Sequence, residues 1–211
     1  MQLNRTVLFT SLLAAMVLSS AQVDAKVIDG VDYQTGDVVF QQIDGALGKL
    51  VQGLTRSPFD HCGIIIVNAD QSIDVLEAIT RVQRTKLKTW KARGVGQRIL
   101  QMRPLQKFRE HLTTFIQQAE NFVGRPYDRG FAMDDERVYC SELIYKAFRS
   151  ATGVALAPFQ KLAELNFLRH LPELLILGQG ELPWNREVIT PFALTRSDKL
   201  RVIHSEFDPM T

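Results

Sequence analysis

An α+β fold built on a largely antiparallel sheet is predicted by three features of the chain. Strand-like runs come consecutively, at 35–42, 57–68, 72–80 and 96–104, while helical patterns dominate after residue 104. The second and third runs are separated only by Asn68 to Gln71, a linker short enough for an antiparallel hairpin. With 211 residues, 45% hydrophobic and 23% charged, the chain is long enough to bury one sizeable core.

In order, residues 1–25 read as an export signal, with Arg5, the apolar stretch VLFTSLLAAMVL and the small-residue ending Val23-Asp24-Ala25. The apolar run is too short to span a bilayer comfortably and no other long one follows, so residues 26–211 are expected as one soluble, periplasmic or secreted domain. Then TGDVVFQQ gives a strand, and IDGALGKLVQGLT a short helix with Leu47, Leu50, Val51 and Leu54 at helical spacing. SPFDHCGIIIVN is a buried strand containing a glycine where backbones approach closely. SIDVLEAIT pairs with it, RVQRTKL continues extended, LKTWKARG is a short helix stopped by Gly94, and GQRILQMRP is a strand closed by Pro104.

The pattern over 105–124 predicts one long helix, apolar at Leu105, Phe108, Leu112, Phe115, Ile116, Ala119 and Phe122 and stopped by Gly124. A charged loop with Pro126 leads to a helix over 140–150. Residues 160–170 look helical and the remainder irregular.

Net charge is +2, and loss of Arg5 and Asp24 with a leader would leave it unchanged. No basic, aromatic-interleaved surface of the kind single-stranded nucleic acid prefers is present, so nucleic-acid partners are not expected. The modest cluster RVQRTKLKTWKARG, 81–94, reads either as a solvated face or as a contact for anionic headgroups or an acidic substrate. No CxxC, HxxxH or HExxH spacing, glycine-rich phosphate loop or GxSxG elbow occurs, so neither a metal nor a cofactor is expected.

Chemistry concentrates on two cysteines and four histidines. Cys140 opens a helix, where unsatisfied amides and the macrodipole favour a thiolate and the same amides can face a developing oxyanion. A structural cysteine would give the same local pattern. His61 opens a buried strand just after a turn and is the best general base, whereas His111 falls between core positions of the 105–124 helix as a boundary residue, and His170 and His204 lack partner spacing. Glu77, an acid inside VLEAI on the paired strand, is the candidate to orient His61, the alternative being a carboxylate turned to solvent. Alternation along the strand predicts that Cys62 points to the face opposite His61, away from Cys140, as a small apolar residue with no disulfide.

Together GDVVF (36–40), HCGIII (61–66), VLEA (75–78), GRPYD (124–128) and YCSELIYKAF (139–148) resemble the permuted NlpC-type papain-fold cysteine hydrolases, in particular the YiiX/YebB-like group. The resemblance runs from about residue 35 to 152 and more loosely through WKARG, DDERVYCSEL and REVITPFAL. It implies a circularly permuted papain-like fold with histidine first, acid second and cysteine last: Cys140 as nucleophile, His61 as base and Glu77 as orienting residue. Tyr127 matches the tyrosine of a GxPY motif beside the cysteine, either holding a carbonyl oxygen or simply packing under the loop. Cys62 departs from the pattern, where valine is usual.

Relatives by fold cleave cell-wall peptides, and others, similar to lecithin retinol acyltransferase, move fatty acyl chains. The expected partner is therefore a peptide or acyl-lipid of the cell envelope, acted on by a Cys-His-Glu hydrolase or acyltransferase, with a catalytically idle envelope binding module as the other class. A binding module has no need of Cys, His and Glu together at these places.

Overall fold

The computed structural model describes residues 24–177 and 184–208. The leader assigned to residues 1–25 therefore lies outside the described residues except for Asp24 and Ala25. Ala25 itself starts strand β1 (Ala25–Ile28), which pairs with β2 (Val31–Gln34) as a separate two-stranded ribbon. Neither strand was anticipated from the sequence, because four-residue segments carry too little pattern to register.

The main sheet begins with β3 (Val38–Gln41), and α1 (Ala46–Thr55) then leads to β4 (His61–Val67). Next come β5 (Ile73–Ala78), β6 (Val82–Lys86), α2 (Leu87–Arg93) and β7 (Leu100–Pro104). A final strand, β10 (Leu200–Ser205), closes a six-stranded sheet in the order β10-β7-β3-β4-β5-β6, with every neighbouring pair antiparallel. The expected hairpin is present, pairing Ile64 with Leu76 and Val67 with Ile73.

Both faces of β3, β4 and β5 are covered, which explains why Ile64 to Val67 form an unbroken apolar run. On one face Val38, Phe40, Cys62, Ile64, Ile66, Leu76 and Ala78 meet the helices α3 (Leu112–Glu120) and α4 (Cys140–Thr152). On the other, Val39, Ile65, Val67, Ile73 and Val75 pack with Val31 and Tyr33 of β2 and with Trp90 of α2.

Residues 105–124 do not form one helix. Gln106–His111 is a 3-10 helix, α3 follows, and turns lead from Asn121 to Gly124. Over six residues a period of 3.0 and one of 3.6 select nearly the same apolar positions, so Phe108 reaches the core in either form. Phe108 and Phe115 both meet the ring of Phe148 edge to face, clamping this segment against α4. Gly153, at φ 72, then ends α4 in the left-handed region that glycine enters most readily.

The stretch 160–170, expected to be helical, instead holds the short strand β8 (Gln160–Lys161) and two 3-10 turns, Leu162–Glu164 and Phe167–His170. Beyond it lie α5 (Leu171–Leu177), β9 (Glu187–Val188) and α6 (Pro191–Thr195). This region forms a cap: Leu162, Phe167, Leu174 and Val188 pack with Leu50 and Leu54 of α1 in a third apolar cluster.

Candidate active site

Cys140 is the first residue of α4. The Glu142 carboxylate accepts from the Tyr139 backbone amide at 3.1 Å, tying down the turn that presents the thiol. Burial pushes the Glu142 carboxyl up to about 7, against its hydrogen bonds with Lys146 and Tyr139. Tyr139 also anchors the segment after β9, its hydroxyl accepting from Ile189 N at 3.0 Å. Beside it the Ser141 hydroxyl donates to the Ile189 carbonyl at 2.7 Å, a structural use of that serine.

The Cys140 sulfur stands 4.0 Å from the Asp60 carbonyl oxygen, at the start of β4. His61, the next residue, is buried, and its Nε2 lies 2.6 Å from Glu77 Oε2. A carboxylate only accepts hydrogen bonds, so Nε2 carries the hydrogen and Nδ1 is left to face Cys140. Trp90 backs the imidazole, with ring centroids 6.1 Å apart.

Electrostatics favours the ion pair over the neutral pair. The Cys140 thiol is held well below its ordinary pKa by the hydrogen bond from Cys62 and then by His61, against the opposing effect of burial. Burial works against a charged His61, yet the hydrogen bonds and charges of Cys140 and Glu77 outweigh it and lift His61 to about 9. Burial would also neutralise Glu77; His61, Thr85 and Arg93 reverse that and keep its carboxyl below the usual range.

Glu77 is fully buried and does not turn to solvent. Thr85 Oγ1 donates to Oε1 at 2.6 Å, and Arg93 Nη2 donates to Oε1 at 2.5 Å and Oε2 at 2.7 Å. Both partners went unrecognised in the sequence. A signal for Arg93 existed, since an acid in an apolar strand requires a counter-charge, but the basic run 81–94 read as a surface feature. Much of that run is occupied within the molecule: Arg84 pairs with Glu120, Lys86 with Asp74 and Lys91 with Glu206.

Cys62 is where the sequence expectation fails. Alternation does send it to the face opposite the His61 ring, but that face is the one α4 covers, so its thiol lies beside Cys140, not away from it. Because Cys140 sits at the end of β4, it meets the strand's first residue from one side and its second from the other. Both cysteines are free thiols.

Tyr127 also reaches Cys140: burial, then the charge and hydrogen bond of Cys140, hold its phenol protonated, well above the ordinary value. His111, His170 and His204 lie instead near Glu110, Glu173 and Glu206.

A narrow pocket open to solvent adjoins Cys140 and Tyr127. Its walls are mainly apolar, with Leu50 and Leu54 from α1, Leu162 and Leu174 from the cap, and Val188 and Ile189 after it. Asp60 is the charged side chain in this lining. Its carboxylate accepts from Ile43 N at 2.8 Å and from Gln52 Nε2, which moors α1 to the start of β4; burial, outweighing these hydrogen bonds, pushes it up to about 6.

A cysteine, histidine and carboxylate so arranged, on strands that precede the cysteine helix in the chain, have the layout of a permuted thiol hydrolase. Residues 32–204 match the family of permuted papain-like amidase enzymes, YaeF/YiiX, C92. The chain belongs to this family. The uncharacterized protein YiiX of Escherichia coli K12 is 28% identical over 177 residues, covering 82% of this chain and 87% of that one. The crystal structure of the metalloprotein yiiX from Escherichia coli O157:H7 superposes with a TM-score of 0.76, again at 28% identity, over 82% of this chain and 98% of that one. Among the described residues here, no group of three or more His, Cys, Asp or Glu side chains converges as a metal site. With Glu77 already saturated by His61, Thr85 and Arg93, these C92-family residues do not fit a metal, and no step below involves one.

Proposed function

We propose that this protein is an exported cysteine hydrolase that cleaves an amide or ester bond whose acyl side is apolar. The observation that carries the reading is the leucine-rich pocket against the Cys140 sulfur. Wall peptides carry charged groups along their length, whereas an aliphatic chain gains about 0.8 kcal/mol for each methylene moved from water into such a pocket. The acyl-lipid alternative is therefore favoured over the wall-peptide one.

In the proposed reaction the Cys140 thiolate attacks the carbonyl, forming the C–S bond, and the oxygen takes the negative charge. The backbone amides opening α4 and the Tyr127 hydroxyl are suited to hold that oxyanion. The His61 imidazolium gives its proton to the leaving nitrogen or oxygen, and the acyl group stays on sulfur. His61, now neutral, takes a proton from water as that water attacks the thioester, and Cys140 leaves as thiolate. Glu77 fixes the imidazole tautomer throughout. Export is supported by the composition of residues 1–25, and fractionation of cells expressing the full chain tests it directly.

The reaction is tested with N-acyl amides and esters of increasing chain length beside muramyl peptides. Turnover that rises with chain length and disappears in Cys140→Ala is expected. Hydrolysis of the peptides alone would restore the wall-peptide reading, and turnover surviving in Cys140→Ala would remove the nucleophile assignment.

A further inference from the structure

The second cysteine of the site is not accounted for by hydrolysis. Along β4 the side chains of Cys62, Ile64 and Ile66 enter the core under α4, and Cys62 is fully buried. Cys62 and Cys140 pack in the same core cluster, and the Cys140 sulfur stands 4.0 Å from the carbonyl oxygen of Asp60, two residues before Cys62, within reach of the Cys62 thiol. Cys140 lines the pocket and is open to a small molecule entering it, whereas Cys62 is not part of that lining. Two thiols thus lie side by side, one facing the pocket and one behind it. We propose that Cys62 is a resolving thiol, and that peroxide oxidation of Cys140 ends in a reversible Cys62–Cys140 disulfide that switches the site off.

The steps balance with hydrogen peroxide or an organic hydroperoxide as oxidant. The Cys140 thiolate attacks one peroxide oxygen, so an S–O bond forms, the O–O bond breaks and hydroxide or alkoxide leaves. Sulfur has lost two electrons and the peroxide has gained them. The Cys62 sulfur then attacks the sulfenic sulfur of Cys140; the S–S bond forms, the S–O bond breaks, and the hydroxyl departs with the Cys62 proton as water.

Before oxidation, burial and the adjacent Cys140 charge keep Cys62 protonated, so it does not compete as a nucleophile. After oxidation the disulfide ties up the only sulfur able to attack a carbonyl, and it also blocks further irreversible oxygenation of Cys140. A dithiol reductant reverses the state.

Intact-mass and peptide mass spectrometry of the purified protein, treated with one equivalent of hydrogen peroxide without reductant, tests this without any substrate. Its outcome is therefore separate from that of the acyl-group reading. Wild type should lose two hydrogens, lose both free thiols and yield a cross-linked peptide pair joining residues 62 and 140, all restored by dithiothreitol. Cys62→Val should instead gain one oxygen on Cys140 with one equivalent and, with a second equivalent, a second oxygen that dithiothreitol does not remove. Cys140→Ala should gain none on Cys62. Oxygen adducts accumulating on wild-type Cys140 with no internal cross-link would overturn the proposal, and that result requires no variant to fold.

Discussion

Glu77 holds His61 through one oxygen while Arg93 and Thr85 hold Glu77, so the field at the imidazole is set by a chain of charges rather than by one pair. Glu77→Gln should lower kcat by roughly 10²–10⁴, the range that general acid–base groups contribute. Arg93→Gln should slow turnover less, but it removes the cation that offsets Glu77. The His61 pKa should then rise further and the alkaline limb of the kcat/KM profile should move to higher pH. A merely structural arginine would leave that limb in place, and Arg93→Lys should return it part of the way. In the wild type the limb is expected near 9, because the proposed reaction needs the imidazolium as proton donor and His61 loses that proton at about 9. The acid limb should lie well below the ordinary thiol range, because protonating the depressed Cys140 thiolate removes the nucleophile. Cys140, His61 and Glu77 were legible because each breaks a local rule of its element: a thiol at a helix start, a histidine opening a buried strand, an acid inside an apolar one. Arg93 breaks none within a basic run, and only the fold shows where it points.

At the scale of elements, β4 delivers the site and depends on Gly63. A Cβ there would collide with Val75 Cγ1 and stand 3.1 Å from the Leu76 carbonyl oxygen, which belongs to the neighbouring strand and cannot swing aside. Gly63→Ala should therefore cost about 1–3 kcal/mol, a fall of roughly 2–12 °C in Tm for a domain of this size. An unchanged melting curve would mean that β4 and β5 separate more easily than their burial implies. This glycine was readable as a close approach, as were the hairpin and the stop of α2 at Gly94, because glycine and apolar runs are local signals. Strand β10 was not, since Arg201 and Val202 are exposed and its partner β7 lies far away in sequence. The broken segment 105–124 was misread for the opposite reason: its apolar positions suit either helix type, and packing against Phe148 decides nothing about pitch.

For the molecule as a whole, the pocket is what the order of motifs cannot convey. Its walls come from α1, from the approach to α4 and from the cap after residue 160, three stretches that converge only because α1 is moored at Asp60 and the cap closes over Leu50 and Leu54. The permuted order, histidine then acid then cysteine, is visible in the chain and gives the family; the proposed substrate preference rests on side chains outside those motifs. If an aliphatic acyl group lies along this wall, each added methylene contributes about 0.8 kcal/mol, or close to a fourfold increase in kcat/KM, until the cavity is filled. Leu54→Trp puts bulk into the same space, so the increase should stop at a shorter chain while kcat for the shortest substrates stays near the wild-type value. A uniform loss across all chain lengths would instead indicate that α1 had shifted away from Asp60, and a flat series in the wild type would mean that the acyl group leaves the site by another route.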